Sequence, residues 1–264
     1  MIHEQILEIA NHENVAVIGF GTAASLANEP RGYRPEDVLP NARSMICFGI
    51  PVPNAVYRTA DHAPDFVCRT QSLHYRRLDS LAVRFASLLE ENGEQALPIF
   101  GCAPMAINQN RDVAGYVNLL RMGEATKIGV IGRNGLLLHA HYGARLMLGG
   151  LLTTASLPKM RFPDVDSPPC PPDCRICIDD CPVKAISPEE KRVEIMRCLS
   201  YTAYMPFLPL LKFLWLRQFK PKSAARLMNL TTLDEHTLHR CSRCVARCPY
   251  GESGSVTQEI HKLK

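Results

Sequence analysis

The tightest constraint on this chain is where its cysteines fall: of eleven in 264 residues, eight lie between Cys170 and Cys248. They form two motifs, Cys170-x3-Cys174-x2-Cys177-x3-Cys181-Pro182 and Cys241-x2-Cys244-x3-Cys248-Pro249, with Cys198 between them. That is too sparse for a disulfide scaffold. In a reducing compartment, clustered thiols stay available as thiolate ligands for metals. The sequence points to such a compartment. Its N-terminus, MIHEQILEIANHENV, carries Glu4 and Glu8 where an export signal needs a basic flank and an unbroken apolar run. No stretch reaches the ~18 uncharged apolar residues of a spanning helix; Ala203 to Leu216 is interrupted by Pro206, Pro209 and Lys212. A cytoplasmic protein is expected, and a membrane surface is not expected as a partner.

Both motifs end in C-x3-C-P. In the bacterial ferredoxin arrangement, closely spaced cysteines wrap one cubane cluster while the cysteine before proline ligates the other, which staples the two motifs together. Iron prefers soft sulfur donors, and tight loops let backbone amides point at the sulfurs and tune the potential. The expected ligand sets are Cys170, Cys174, Cys177 and Cys248 for one 4Fe-4S cluster, and Cys181, Cys198, Cys241 and Cys244 for the other. Two zinc sites are the alternative, because C-x2-C pairs are also zinc-knuckle spacing; the crossing C-x3-C-P endings weigh against them. Cys170 stands three residues before Cys174 where two is usual, which a bulged loop would absorb. Cys47, Cys68 and Cys102 are isolated and read as small buried hydrophobes.

With 46% hydrophobic and 21% charged residues, the chain has ordinary folded-protein composition and length enough for a substantial core. Ile2, Ile6 and Ile9 predict a helix, Val15 to Phe20 a strand, and Ser44 to Val52 a second strand. Leu73, Leu78, Leu81, Phe85, Leu88 and Leu89 share one face of a long helix stopped by Gly93. Leu97 to Phe100 predicts a third strand, Val113, Tyr116, Val117 and Leu120 another helix, and Leu136 to His139 and Arg145 to Thr154 two more strands. Helices and strands mix without a βαβ repeat. Six prolines between Leu157 and Pro172 mark a linker, so the expected domains are 1–160 and 161–264, the second with an apolar-basic insert over 203–232. From Cys170 onward there are 15 Lys+Arg against 10 Asp+Glu, so the basic surplus belongs to the cysteine-rich end.

Other signals carry less. Gly19-Phe20-Gly21 follows an apolar run but lacks the helix and the acidic residue of a dinucleotide fingerprint, and Gly129, Gly132 and Gly135 have the spacing of tight turns rather than of a phosphate loop. His139 and His141 would share one face of a strand, near Tyr142 and Arg133, and could contact a cofactor or metal. Between Glu194 and Asp234 there is no acidic residue, while Lys212, Arg217, Lys220, Lys222 and Arg226 accompany Phe213, Leu214 and Trp215. This reads as a lid packed beside the cysteines with Trp215 buried, in preference to a surface that docks on membranes or partners. No nucleic-acid motif accompanies the charge, so no nucleic acid is expected as a partner.

CPPDCRICIDDCPVKAIS, then RCLSYTAY, then CSRCVARCP resembles in order the cluster half of epoxyqueuosine reductase and the related reductive dehalogenases. Weaker similarity runs through LPNARSMICFGIPV (39–52), LHYRRLDSLAVRFASLLEENG (73–93) and KIGVIGRNGLLLHAHYGARLMLGGLLTTASLP (127–158). The resemblance implies an α+β fold: a mixed sheet-and-helix, cobalamin-reductase-like (nitroreductase-like) domain followed by a bacterial ferredoxin-like double 4Fe-4S domain. It implies two 4Fe-4S clusters, a cobalamin, and cofactor contacts from His74, Tyr75, Arg133, Asn134, His141 and Tyr142. The expected function is an iron-sulfur oxidoreductase. It would relay single electrons from an external low-potential donor of ferredoxin or flavodoxin type to a corrinoid or small-molecule acceptor in the N-terminal domain. The alternative is a non-catalytic electron-transfer or corrinoid-activating partner. In one respect the chain departs from the family. Where the reductase carries its proton-donating aspartate in an Asp-x-x-Pro segment, PIFGCAP (98–104) places Gly101, and the helical repeats that grip tRNA have no counterpart within these residues. No catalytic residue is assigned, and conversion of epoxyqueuosine is not expected.

Overall fold

A computed structural model of the chain describes residues 1–59, 63–101, 105–108, 113–160, 170–187, 193–202, 207–230 and 241–250. In chain order the elements are α1 (Ile2–His12), β1 (Val17–Thr22), α2 (Pro35–Val38), β2 (Ser44–Pro51), α3 (Ala63–Glu91), β3 (Ala96–Ile99), β4 (Met105–Ile107), β5 (Val113–Gly115), α4 (Leu119–Ala125), β6 (Val130–Ile131), β7 (Leu137–Leu138), β8 (Leu146–Thr153), α5 (Ile176–Asp179), α6 (Ile195–Thr202), α7 (Phe207–Phe219), α8 (Pro221–Leu230) and α9 (Arg243–Ala246). Four strands form one antiparallel sheet in the order β1-β2-β8-β3.

Alternation along the strands serves two cores. Ile18, Phe20, Ile46, Phe48, Ile50, Met147 and Leu151 face α1 and α3, whereas Val17, Met45, Cys47, Leu146, Leu148 and Leu152 face α4 and the β6–β7 hairpin. Because both faces are covered, the strands read in sequence as unbroken apolar runs instead of an in-out pattern. Phe48 meets Phe85 of α3 edge-on at 5.2 Å between ring centroids. Glycines let the helices come close: a Cβ on Gly149 would stand 3.2 Å from Leu78 Cβ of α3, and one on Gly150 2.8 Å from Leu119 of α4. Cys47 is fully buried among apolar neighbours, and burial pushes its thiol far above the ordinary range. Cys68 lies partly buried on α3, and Cys102 is outside the described residues.

Sequence expectation and structure differ in three places. Val113 belongs to a strand, paired with Ile107, and the helix starts only at Leu119 because the Asn118 side chain accepts the N–H groups of Leu120 and Arg121 at 2.9 and 3.3 Å. His139 and His141 do not share a strand face: His139 and Gly143 close a tight turn that contains His141. The segment around Trp215 forms the hairpin of α7 and α8, packed through Phe213, Leu216, Ala224 and Leu227 on β4–β5 and α6. Trp215 itself is 53% exposed, so it is not the buried residue that a lid requires.

Candidate metal centre

The two cysteine motifs fold alike because each is one helical turn too short to propagate. In the first, Ile178 and Asp179 donate to the Arg175 carbonyl, and Cys181 to that of Ile178. In the second, Val245 and Ala246 donate to Ser242, and Cys248 to Val245. Cys177 and Cys244 therefore occupy equivalent places on α5 and α9, with Cys181 and Cys248 at equivalent exits ahead of Pro182 and Pro249. A two-pronged ion pair ties the turns together: the Arg243 guanidinium donates to both oxygens of Asp180 at 2.8 and 3.0 Å. Arg243 holds that carboxyl below the usual range, and Asp180 raises the guanidinium in turn.

The thiols interact across motifs. Burial pushes Cys177 up to about 11, with further contributions from Cys170, Cys174 and Cys248. Burial pushes Cys244 up to about 12, aided by Cys198 and Cys241, then Cys177 and Cys181. Cys181 and Cys244 both pack against the buried cluster of Cys177, Ile178 and Ile186, so the two motifs meet there, while Cys198 lies on α6. Two sulfurs accept backbone N–H groups, Cys170 from Arg133 at 3.5 Å and Cys181 from Ala185 at 3.3 Å. Among the described residues, no group of three or more His, Cys, Asp or Glu side chains is arranged to hold a single metal ion.

The β6–β7 turn explains the placement of Arg133 and Asn134. Gly135 has φ +70°, and a Cβ there would lie 2.8 Å from Val193 Cγ2, so only glycine lets the turn reach this deep. From it Arg133 donates to the Pro172 carbonyl, and buried Asn134 donates to the Cys244 carbonyl at 3.4 Å while accepting from Leu136. These two residues touch both cysteine motifs, a role that the sequence did not suggest.

The remaining candidates gather at one end of the main sheet, where β2 ends, β8 begins and the chain leaves β3. On α3, His74 Nδ1 and Nε2 lie 2.9 Å and 3.3 Å from the carbonyls of Thr70 and Pro51, so each ring nitrogen faces a backbone oxygen. His141 packs edge-on against Tyr142, whose ring stacks on His139. His139 Nδ1 in turn accepts the N–H groups of His141 and Tyr142. Arg145 bridges to the Val52 carbonyl at 3.2 Å. Tyr57, missed in the sequence reading, is buried between Arg145 and Cys244; burial pushes its hydroxyl up to about 12, Arg145 lowering it and Cys244 raising it. This sheet end is thus contiguous with the second group of cysteines.

No family model matches the chain. Epoxyqueuosine reductases of Lactococcus garvieae and a Synechococcus species are 35% and 38% identical to it over 74 and 78 residues, which is 28% and 30% of this chain and 20% and 23% of theirs. The solved epoxyqueuosine reductase of Streptococcus thermophilus superposes with a TM-score of 0.58 at 18% identity, covering 97% of this chain and 69% of its own. Over those stretches the chain is similar in sequence to epoxyqueuosine reductases, and it shares their fold. An epoxyqueuosine reductase in complex with an epoxyqueuosine-modified tRNA-Tyr stem loop gives 0.53 at 18% identity, over 97% of this chain and 67% of that one. A reductive dehalogenase described with a mechanism for B12-dependent dehalogenation gives 0.54 at 14%, over 95% and 41%. The sequence match spans about a fifth of the curated reductases' length, while the fold likeness runs through nearly all of this chain.

A Cβ on Gly101 would lie 2.6 Å from Tyr75 Cδ1 and 3.1 Å from the Leu148 carbonyl. Tyr75 therefore fills the space that any side chain at position 101 would take. The Gly101 N–H donates to Asp79 Oδ1 at 3.2 Å, and burial holds the Asp79 carboxyl above its ordinary range despite that bond.

Proposed function

We propose that this chain is an iron-sulfur oxidoreductase, with one 4Fe-4S cluster on Cys170, Cys174, Cys177 and Cys248 and a second on Cys181, Cys198, Cys241 and Cys244. The observation that carries the reading is that thiols of the two motifs meet, Cys181 and Cys244 packing against the buried cluster that contains Cys177. A zinc ion would need four ligands within ~2.3 Å of one point, whereas the two C-x3-C-P endings have the spacing by which paired cubane clusters share ligands between motifs. Such clusters supply reversible one-electron transfer when bound. The chain's own residues would set their environment: Arg133 and Ala185 N–H groups hold negative charge on sulfur, and Tyr57 and the buried core exclude water on the side facing the sheet.

The acceptor site belongs at the sheet end formed by His74, Arg145, His141 and Tyr142, next to Tyr57 and the second set of cysteines. A corrinoid or a small molecule reduced through one is the acceptor suggested by the B12-dependent relative. Because both His74 ring nitrogens face carbonyls, His74 would pack against such a group rather than ligate its metal. Electrons would come from an external ferredoxin- or flavodoxin-type donor. Epoxyqueuosine in tRNA is not the proposed substrate, since position 101, where the resemblance to the reductases expects a proton-donating aspartate, is glycine, and the nearby Asp79 carboxyl is engaged by the Gly101 N–H; the absence of a general acid costs roughly 10²–10⁴-fold. The same feature supports a second reading, a partner protein that only passes electrons.

After anaerobic reconstitution we expect about eight iron and about eight acid-labile sulfide per chain, since two cubanes need that many. Stoichiometric zinc without sulfide would refute the reading. Cys248→Ala should bleach the paramagnetic signal of the cluster on Cys170, Cys174 and Cys177; loss confined to the other cluster would refute the crossed assignment.

A further inference from the structure

The α7–α8 hairpin is apolar on two sides. Its inner side, with Phe213, Leu216, Ala224 and Leu227, is satisfied against β4–β5 and α6. Its outer side carries Leu211, Leu214, Trp215 and Phe219 at 47%, 39%, 53% and 66% exposure, a helical spacing that lines them up on one arc of α7. Exposed large side chains scattered singly need no explanation, but four in one stripe do. Positive charge surrounds the stripe. Residues 207–230 contain Lys212, Arg217, Lys220, Lys222 and Arg226 and no acidic residue, and Lys220 Nζ sits 5.8 Å from the Trp215 ring centroid.

We propose that this face docks on an anionic phospholipid surface. Trp and Phe at the crest suit the interfacial depth, lysines on flexible stems reach headgroup phosphates, and the uniform positive sign complements an anionic leaflet. A second copy of the chain is disfavoured by the same charge, because a symmetric contact would bring like-charged rims together. No helix in the described residues is long and apolar enough to cross a bilayer, so the contact is peripheral. The inner face packs against α6, which carries Cys198, so docking would hold the cysteine-rich half close to the membrane. The inference does not depend on what the cysteines bind.

Trp215 is the chain's single tryptophan, so intrinsic fluorescence reports on this face alone. The reconstituted full chain is mixed with vesicles of pure phosphatidylcholine or with one third phosphatidylglycerol, and co-sedimentation and Trp215 emission are read. Binding and a blue shift are expected on the anionic vesicles only. Both should weaken by more than about 10-fold with Lys220→Glu plus Lys222→Glu, with Phe219→Glu, or in about 0.5 M salt. These positions are exposed, and unchanged circular dichroism verifies that the variants fold. No binding to anionic vesicles overturns the proposal. So does an emission shift that appears only with an acidic flavodoxin-type protein, which assigns the face to the electron donor, or one that follows protein concentration without lipid, which assigns it to a second copy.

Discussion

A side chain larger than hydrogen at position 101 must push the Tyr75 ring aside, and the Leu148 carbonyl behind it cannot yield. Gly101→Asp should therefore destabilise by about 1–3 kcal/mol as an overpacking substitution. In a chain this long, that reads as a fall of ~2–4 °C in unfolding midpoint per kcal/mol. Adding Tyr75→Ala opens the space, so the double variant should recover most of the loss relative to the sum of the two single effects. Additive losses in thermal unfolding would show that the Tyr75 ring does not occupy the space beside position 101. The sequence could display a glycine at position 101 but not the ring packed on it, because Tyr75 and Gly101 meet only through the packing of α3 across β3 and β8.

At the scale of elements, α5 and α9 are too short to stand alone, and the Asp180–Arg243 pair is a direct polar link between them. Arg243→Ala should shorten cluster lifetime under air a few-fold, since charge-assisted two-pronged bonds add orientation as well as attraction; bleaching kinetics near 400 nm, in roughly the sulfide-to-iron absorption region, give the readout. Asp180 has its carboxyl held below the unfolded value of 3.8. The contribution of the pair is thus complete above that value and lost as pH falls through the depressed one. Bleaching that differs between variant and parent only above neutral pH would contradict this assignment. Elements differed in how legible they were. The strands Ser44–Pro51 and Leu146–Thr153 stand out as apolar runs bounded by turn residues, and the long helix is marked by its periodicity and by Gly93. The β4–β5 hairpin was hidden because three-residue strands offer too few positions to tell period 2 from period 3.6. The His139–Gly143 turn was hidden because its closure depends on His139 Nδ1 accepting two backbone N–H groups. In the candidate site, cysteine spacing displayed two similar turns, whereas Arg133, Asn134 and Tyr57 reach the cysteines from far away in the chain.

For the molecule as a whole, the β6–β7 turn is one structural joint between the sheet and the cysteine-rich half, beside the packing of Val245 and Ala246 on the sheet's core. Gly135→Ala places a methyl group 2.8 Å from Val193 in a backbone conformation that favours glycine, which should cost about 1–2 kcal/mol. The cost should fall on the joint, lowering the temperature of cluster loss while circular dichroism of the four-stranded sheet still melts where the parent's does. If both transitions moved together, the two halves would unfold as one cooperative unit.

The strand order also dictates a timetable. β8 lies between β2 and β3 and pairs Ser44 with Thr153 and Ala96 with Thr153, so the sheet lacks its inner strand until a residue more than a hundred positions downstream has been made. On the ribosome, β1 and β2 can form a hairpin early, but α3 and β3 must wait beside an open edge. That edge closes when β8 emerges, only some twenty residues ahead of Cys170 by chain position. The nascent chain thus completes its template, β6–β7 turn included, just before it presents the first thiol that the turn is built to receive.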